Sequence, residues 1–153
     1  THNGPLCGCG ARGCLEAFVG TIGIKRRVWQ AVEEEPQSTL AQMVRQEKDF
    51  KIELVSRAAE KGCPAALKVW QDTGFYLGIG IANIVLTLDI DTVVLAGGVS
   101  RAATYFMPAL KQVLENQQIK TPFQRLTILT STHPNIGGIG AAMYAIHQAT
   151  KNA

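Results

Sequence analysis

Three cysteines near the start of the chain, Cys7, Cys9 and Cys14, have the chemistry and the spacing of a metal site. Two thiolates one residue apart, with a third across a glycine-spaced turn, are able to converge on one tetrahedral soft cation, and zinc is the first candidate. The intervening glycines permit the backbone angles that a short loop around an ion requires. Three sulfurs leave a fourth ligand to be found. The alternatives are a disulfide between two of the cysteines, or thiols that only line a turn.

Two glycine-rich segments further along the chain are candidate nucleotide-binding turns. The first, residues 97–100, follows a short run of β-branched residues, and the second, residues 131–140, follows another predicted strand. At the carboxyl end of a parallel strand, glycines let the backbone approach a phosphate, and the next helix offers its N–H groups. Neither turn matches the GxGxxG or the Walker A pattern. A tight turn without a ligand is therefore the alternative for the first, and close packing of the last helix is the alternative for the second.

The elements that must position these residues follow from hydrophobic periodicity and capping residues. Glycines spaced along the fourth predicted helix indicate close packing against another backbone, at Gly74, Gly78 and Gly80. The predicted helices span residues 15–32, 38–46 with Ser38 as N-cap, a segment capped by Asp49, 64–88, 102–116 and 141–148. Strands are predicted over 92–96 and 125–130, the first of them buried on both faces. A strand, a glycine turn and a helix, occurring twice, are typical of an α/β domain with a parallel sheet.

Length and composition are those of one compact domain. The chain has 153 residues, of which 46% are hydrophobic and 18% charged. A net charge of +3 is too weak to argue for nucleic acid, and the cluster at residues 25–27 is predicted to be a solvated helix face. The cysteine usage fits a reducing cytosol, and the apolar run at 75–88 is too short and interrupted to span a bilayer. The polar start lacks a signal peptide and Met, which predicts a cytoplasmic chain cut from a longer one.

The segment from Gly4 to Glu16 closely resembles the zinc signature of the ROK family, a group of bacterial sugar kinases and sugar-responsive repressors. Residues 93–100 resemble the family's nucleotide-side strand and turn, and residues 138–142 resemble its final turn and helix. The likeness extends over the whole chain from the cysteine loop onward. It implies one α/β lobe of a two-lobed, actin-like and ribonuclease-H-like protein of the hexokinase type. Residues 1–16 would form the zinc-binding loop, and residues 15–153 the carboxyl-terminal lobe.

The resemblance also implies roles for individual residues. Cys7, Cys9 and Cys14 would bind a structural zinc, whose histidine ligand in the family lies upstream of this chain, so His2 is expected to be a loop residue. Glu16 would accept hydrogen bonds from sugar hydroxyls, although by itself it could be an acid favoured at a helix N-terminus. The nucleotide contacts would be Gly97, Gly98, Val99 and Gly138.

The function implied is that of an ATP-dependent hexokinase or glucokinase, which transfers the γ-phosphoryl of ATP to a sugar hydroxyl with Mg²⁺ on the phosphates. The aspartate that would act as general base belongs to the upstream half, so no catalytic residue is assigned and this chain alone is expected to be inactive. The alternative is the sugar-sensing domain of a ROK-type repressor, and a free-standing zinc module is a third possibility. The expected partners are a hexose or N-acetylhexosamine, ATP and a second copy of the protein, without nucleic acid or membrane.

Two further predictions concern side chains outside these motifs. Cys63 is expected to be a buried structural thiol. His133 and His147 are expected to be surface or helix residues without a role in the site.

Overall fold

The computed structural model describes residues 3–47, 49–131 and 133–151, and helices dominate them. His2, which is expected to be a loop residue, and Thr132, which belongs to the second glycine-rich segment, lie outside the described residues. The helices are α1 (Glu16–Val19), α2 (Thr21–Glu34), α3 (Thr39–Gln46), α4 (Glu53–Glu60), α5 (Pro64–Leu88), α6 (Ala103–Glu115), α7 (Thr121–Gln124) and α8 (Ile136–Lys151). The strands are β1 (Thr92–Leu95) and β2 (Thr127–Thr130), and a 3₁₀ turn, Gly98–Ala102, joins β1 to α6.

Local capping signals fix several helix ends. The Ser38 hydroxyl accepts a hydrogen bond from the Ala41 N–H at 3.1 Å, so it is the N-cap of α3, as predicted. Pro64 occupies the first turn of α5, where its missing N–H leaves no hydrogen bond unmade. The helix predicted over 15–32 is instead broken at Gly20, whose extended backbone ends α1 and begins α2.

Asp49 does not cap a helix, contrary to the prediction from sequence. The helix that follows it, α4, begins only at Glu53 and is preceded by Ile52 in a helical conformation. The Asp49 carboxylate lies 2.6 Å from Lys25 Nζ, in an exposed ion pair that lowers the pKa of Asp49. The Asp49 carboxylate therefore pairs with Lys25 on α2, whereas the sequence pattern predicts that it accepts hydrogen bonds from backbone N–H groups.

The centre of the fold is the contact between α5 and α6. A Cβ atom at Gly74 would lie 2.1 Å from the Phe106 carbonyl oxygen, and one at Gly78 would lie 2.8 Å from Val113 Cβ. The absence of side chains at these two positions lets the helices approach closely, which confirms the packing predicted from the glycine spacing. Gly80 instead faces the side chain of Leu15.

A single hydrophobic core surrounds this helix pair. Its largest fully buried side chains come from α2 to α6 and the loop before α4, and they include Trp70, Phe50, Phe106, Ile24, Leu40, Leu54 and Leu110. Cys63 is buried at the start of α5, as predicted. No helix in the described part of the chain is both long and apolar enough to cross a membrane.

The two strands form a parallel pair in which Thr92 lies opposite Thr127 and Leu95 lies opposite Thr130. The parallel arrangement was predicted, but burial of β1 on both faces was not correct. Val94 is 53% exposed and Leu129 is 50% exposed, because one face of the sheet packs on the helical core and no described residue covers the other. The described residues of α8 likewise include none that is buried.

Candidate functional site

The cysteine loop is a compact hairpin-like turn that ends at the start of α1. The Cys7 N–H donates to the Ala11 carbonyl at 2.8 Å, and Leu6 pairs with Arg12 in an antiparallel bridge. Gly10 and Gly13 have φ values of 88° and 73°, a region that favours glycine, so the turn needs glycine at both positions. The sequence therefore has glycine at both positions where the loop needs a left-handed backbone.

The loop brings the three predicted metal ligands together. The Sγ atoms of Cys7, Cys9 and Cys14 all lie within 4.8 Å of one another, and Cys9 Sγ and Cys14 Sγ are 3.7 Å apart. A tetrahedral ion about 2.3 Å from each thiolate would hold two sulfurs about 3.8 Å apart. The spacing of these sulfurs therefore fits a thiolate metal site, while the prediction for His2 concerns a residue outside the described part of the chain.

The thiols differ in their tendency to ionise. A hydrogen bond from the backbone of Ala11, with smaller contributions from the neighbouring thiols, lowers the pKa of Cys9. Hydrogen bonding with Cys9 and then Cys7 raises the pKa of Cys14 to about 11. Three clustered thiolates repel one another unless a cation is present, so binding of a metal here must release protons.

Glu16, the predicted sugar-binding residue, is the first residue of α1 and lies two positions after Cys14. The Ala17 N–H donates to the Cys14 carbonyl at 3.0 Å, so the cysteine loop and α1 are directly continuous. A Cβ at Gly20 would lie 1.9 Å from Glu16 Oε1, which shows that the carboxylate rests against the glycine between α1 and α2. Gly20 therefore provides the space that the Glu16 side chain occupies.

A cavity of about 340 Å³ opens between α1 and the carboxyl end of β1. Glu16 and Thr21 line one side of it, and Ala96, Val99 and Ser100 line the other. The cavity thus joins the predicted sugar-binding residue to Val99, one of the predicted nucleotide contacts. Its volume is in the range of pockets that hold small molecules.

The other predicted nucleotide contacts lie at the turn after β1 and on α8. Gly97 has a φ of 97°, which requires glycine, and it directly precedes Gly98 in the 3₁₀ turn. Gly138 lies within the first turns of α8 and not in a preceding turn, because that helix begins at Ile136, earlier than predicted. Gly97 and Gly98 follow the carboxyl end of β1, and none of Gly97, Gly98 and Gly138 lines the cavity that contains Glu16.

Arg27 is a buried residue that the sequence interpretation placed on a solvated face. It is 8% exposed, and its guanidinium donates to the Phe18 carbonyl and to Thr73 Oγ1, each at 2.7 Å. Burial lowers the pKa of Arg27. The side chain ties α1 to α5 and so supports the element that carries Glu16. Its helical position between Ile24 and Val28, both buried, was the available signal in the sequence.

Comparison with known proteins gives matches over nearly the whole chain. Residues 1–148 match the ROK family. A glucokinase of Halalkalibacterium halodurans is 34% identical over 114 residues, which are 74% of this chain and 34% of that protein. The DNA-binding transcriptional dual regulator NagC of Escherichia coli K12 is 28% identical over 138 residues, which are 90% of this chain and 33% of that protein. The chain therefore spans about one third of the length of the curated relatives it matches.

A solved structure shows the same fold. The ROK-family glucokinase of Streptomyces griseus, in complex with glucose and AMPPNP, superposes with a TM-score of 0.74 at 20% sequence identity. The match covers 88% of this chain and 44% of that protein. The fold is therefore the α/β, actin-like fold of the hexokinase type, as predicted. The match over residues 1–148 shows that the chain belongs to the ROK family.

Proposed function

We propose that this chain is the carboxyl-terminal half of an ATP-dependent hexose kinase similar to glucokinase. The observation that carries the proposal is the cavity in which Glu16 faces the turn after β1. A carboxylate for sugar hydroxyls and Val99, from the turn proposed for the nucleotide, then border one space, as transfer between the two substrates requires. The 34% identity to a glucokinase supports the same reading.

In the proposed reaction, the sugar hydroxyl oxygen attacks the γ-phosphorus of ATP, and the bond from that phosphorus to the β,γ-bridging oxygen breaks to leave ADP. The proton of the hydroxyl passes to an aspartate of the upstream half, and bound Mg²⁺ would supply positive charge near the phosphates. Glu16 accepts hydrogen bonds from other hydroxyls of the hexose or N-acetylhexosamine and so orients it. Gly97, Gly98, Val99 and Gly138 border the nucleotide.

We further propose that Cys7, Cys9 and Cys14 hold a structural zinc ion. The support is the sulfur spacing together with the backbone bonds that link Cys14 to α1. A metal bound by the loop would fix the start of α1 and hence the position of Glu16. The bound ion would supply rigidity to the sugar-binding wall and would take no part in phosphoryl transfer.

The test is phosphoryl transfer by the full-length protein, with ATP, Mg²⁺ and a panel of hexoses and N-acetylhexosamines. We expect turnover with at least one sugar, and no turnover from residues 1–153 alone. Glu16→Gln removes the charge that strengthens the hydroxyl bonds, so the KM for the sugar should rise roughly tenfold. Glu33→Gln, an exposed carboxylate on α2, is the matched control and should leave KM unchanged. An unchanged KM in Glu16→Gln would refute the assignment of that residue.

The second candidate is the sugar-sensing domain of a ROK-type repressor. The observation that favours it is the match to NagC, which covers 90% of this chain where the glucokinase match covers 74%. A full-length protein that binds a sugar but transfers no phosphoryl group, and whose upstream sequence contains a helix-turn-helix, would support the repressor. An upstream Asp-x-Gly-x-Thr segment with measurable turnover would support the kinase.

A further inference from the structure

The hydroxyl of Ser100 lies between the two predicted nucleotide-side turns. Its Oγ is 2.7 Å from the carbonyl oxygen of Gly97 and 2.9 Å from the carbonyl oxygen of Ser131. The residue is 5% exposed, so water does not readily replace either contact. A hydroxyl has one proton, which it donates to either carbonyl or shares between them. One buried side chain therefore contacts the backbone of both turns.

The first turn is open around its two glycines, while Val99 packs against the hydrophobic core. Gly97 has a left-handed φ of 97°, and apart from the adjacent residues no described atom lies within 4 Å of where a Cβ at Gly97 or Gly98 would be. The Gly97 carbonyl accepts from the Ser100 N–H at 3.2 Å as well as from the Ser100 hydroxyl. Two hydrogen bonds from Ser100 therefore orient the Gly97 carbonyl.

The second turn is joined to the same point. The Ser131 N–H donates to the Leu95 carbonyl at 2.8 Å, which continues the pairing of the two strands. The Ser131 hydroxyl accepts from the His133 N–H at 3.3 Å, and His133 Nδ1 accepts from the Asn135 N–H at 3.2 Å. Asn135 directly precedes α8. A series of hydrogen bonds thus leads from Ser100 to the start of the helix that carries Gly138.

We infer that Ser100 is a positioning residue that holds the two nucleotide-side turns in a fixed relation to each other. It acts through the backbone carbonyls of Gly97 and Ser131 and does not itself contact the nucleotide. The use of this arrangement for nucleotide binding rests on the proposed kinase function. The coupling of the two turns depends only on the hydrogen bonds described above.

The test compares Ser100→Ala with Ser100→Thr in the full-length protein, because alanine removes the hydroxyl and threonine keeps it. Thr87→Ala is the control, since it deletes a hydroxyl that bonds only the Asn83 carbonyl within α5. Amide hydrogen exchange over residues 133–139 reports the coupling, and the Kd of AMPPNP reports nucleotide binding. Amide exchange over residues 39–46, in α3, reports general damage to the protein.

We expect Ser100→Ala to accelerate exchange over 133–139 and to raise the AMPPNP Kd roughly three- to tenfold, with exchange over residues 39–46 of α3 unchanged. Ser100→Thr and Thr87→Ala should behave like the wild type.

Unchanged exchange in Ser100→Ala would overturn the coupling, and changed exchange with an unchanged AMPPNP Kd would overturn the positioning role. If Ser100→Ala does not fold, Ser100→Cys, of similar size but a weak donor, replaces it in the comparison with Ser100→Thr. A wild type that binds no AMPPNP would refute the kinase function, while the exchange data would still decide the coupling.

Discussion

At the scale of single residues, the cysteine loop makes its three thiols chemically unequal. Cys9 is exposed and has a lowered pKa, whereas the pKa of Cys14 is raised to about 11. At pH 8 the metal-free protein should therefore have more thiolate on Cys9 than on Cys14. Cys63 should be unreactive because it is buried.

This difference predicts the order of alkylation. In the metal-free protein at pH 8, we expect iodoacetamide to modify Cys9 first, Cys14 slowly and Cys63 only after unfolding, as followed by peptide mass spectrometry. Raising the pH towards 11 should increase the rate at Cys14 more than the rate at Cys9, because the Cys14 thiol ionises later. Equal rates at Cys9 and Cys14 over this range would contradict the ionisation described for the loop.

The same loop predicts the metal content. We expect elemental analysis of the purified protein to find about one zinc per chain, a stoichiometry set by the three converging thiolates. Cys9→Ser should lose the metal, and Cys63→Ser, which removes a thiol outside the loop, should retain it. Bound zinc should also protect all three loop cysteines from alkylation. A protein without zinc whose loop is nevertheless ordered would refute the metal site.

At the scale of elements, the approach of α5 to α6 is the contact on which the fold depends most. Gly74→Ala would place a methyl group 2.1 Å from the Phe106 carbonyl oxygen, so the two helices would have to separate. We expect the free energy of unfolding to fall by roughly 2–3 kcal/mol, measured by urea denaturation with an unchanged m value.

Gly140→Ala is the matched control for this change. Gly140 also lies in a helix, but apart from its chain neighbours and the backbone of its own helix, no described atom lies within 4 Å of where its Cβ would be. Alanine there should leave stability unchanged or raise it by up to about 1 kcal/mol, through helix propensity. A loss at Gly140 equal to that at Gly74 would show that helix packing is not the cause.

At the scale of the whole molecule, apolar side chains are exposed on the uncovered face of the sheet and on α8. They include Val94, Leu129, Ile139, Met143 and Tyr144. Soluble monomers rarely expose apolar patches of large area. Because the matched relatives are about three times as long as the aligned segment, we propose that other parts of the full-length protein cover these side chains.

Opposite effects of Met143→Lys in two contexts would test this proposal. In residues 1–153 alone, the charge should reduce self-association and binding of a hydrophobic dye without loss of stability. In the full-length protein, it should lower stability by roughly 1–3 kcal/mol, because a lysine would replace a buried apolar side chain. Thr150→Lys, an exposed polar position on the same helix, is the control. A full-length protein that tolerates Met143→Lys would show that this part of α8 remains exposed.

Features that depend on neighbouring residues could be predicted from the sequence. The cysteine and glycine spacing predicted the converging thiols, Ser38 and Pro64 marked helix starts, and the repeated strand, turn and helix predicted a parallel pair. These signals involve residues a few positions apart or the periodic face of one helix or strand, so they can be recognised in the sequence. The resemblance to the ROK family, which the comparisons confirm, also came from such local motifs.

Contacts between distant residues could be seen only in the folded chain. Arg27 is buried against Phe18 and Thr73, and Asp49 pairs with Lys25. The Ser100 hydroxyl contacts the carbonyl of Ser131, which is 31 residues away in sequence. One face of β1 is also uncovered, although a run of β-branched residues is typical of a strand buried on both sides. Burial and hydrogen-bond partners of this kind depend on segments that are distant in sequence and compete for the same atoms. The local sequence therefore does not predict them.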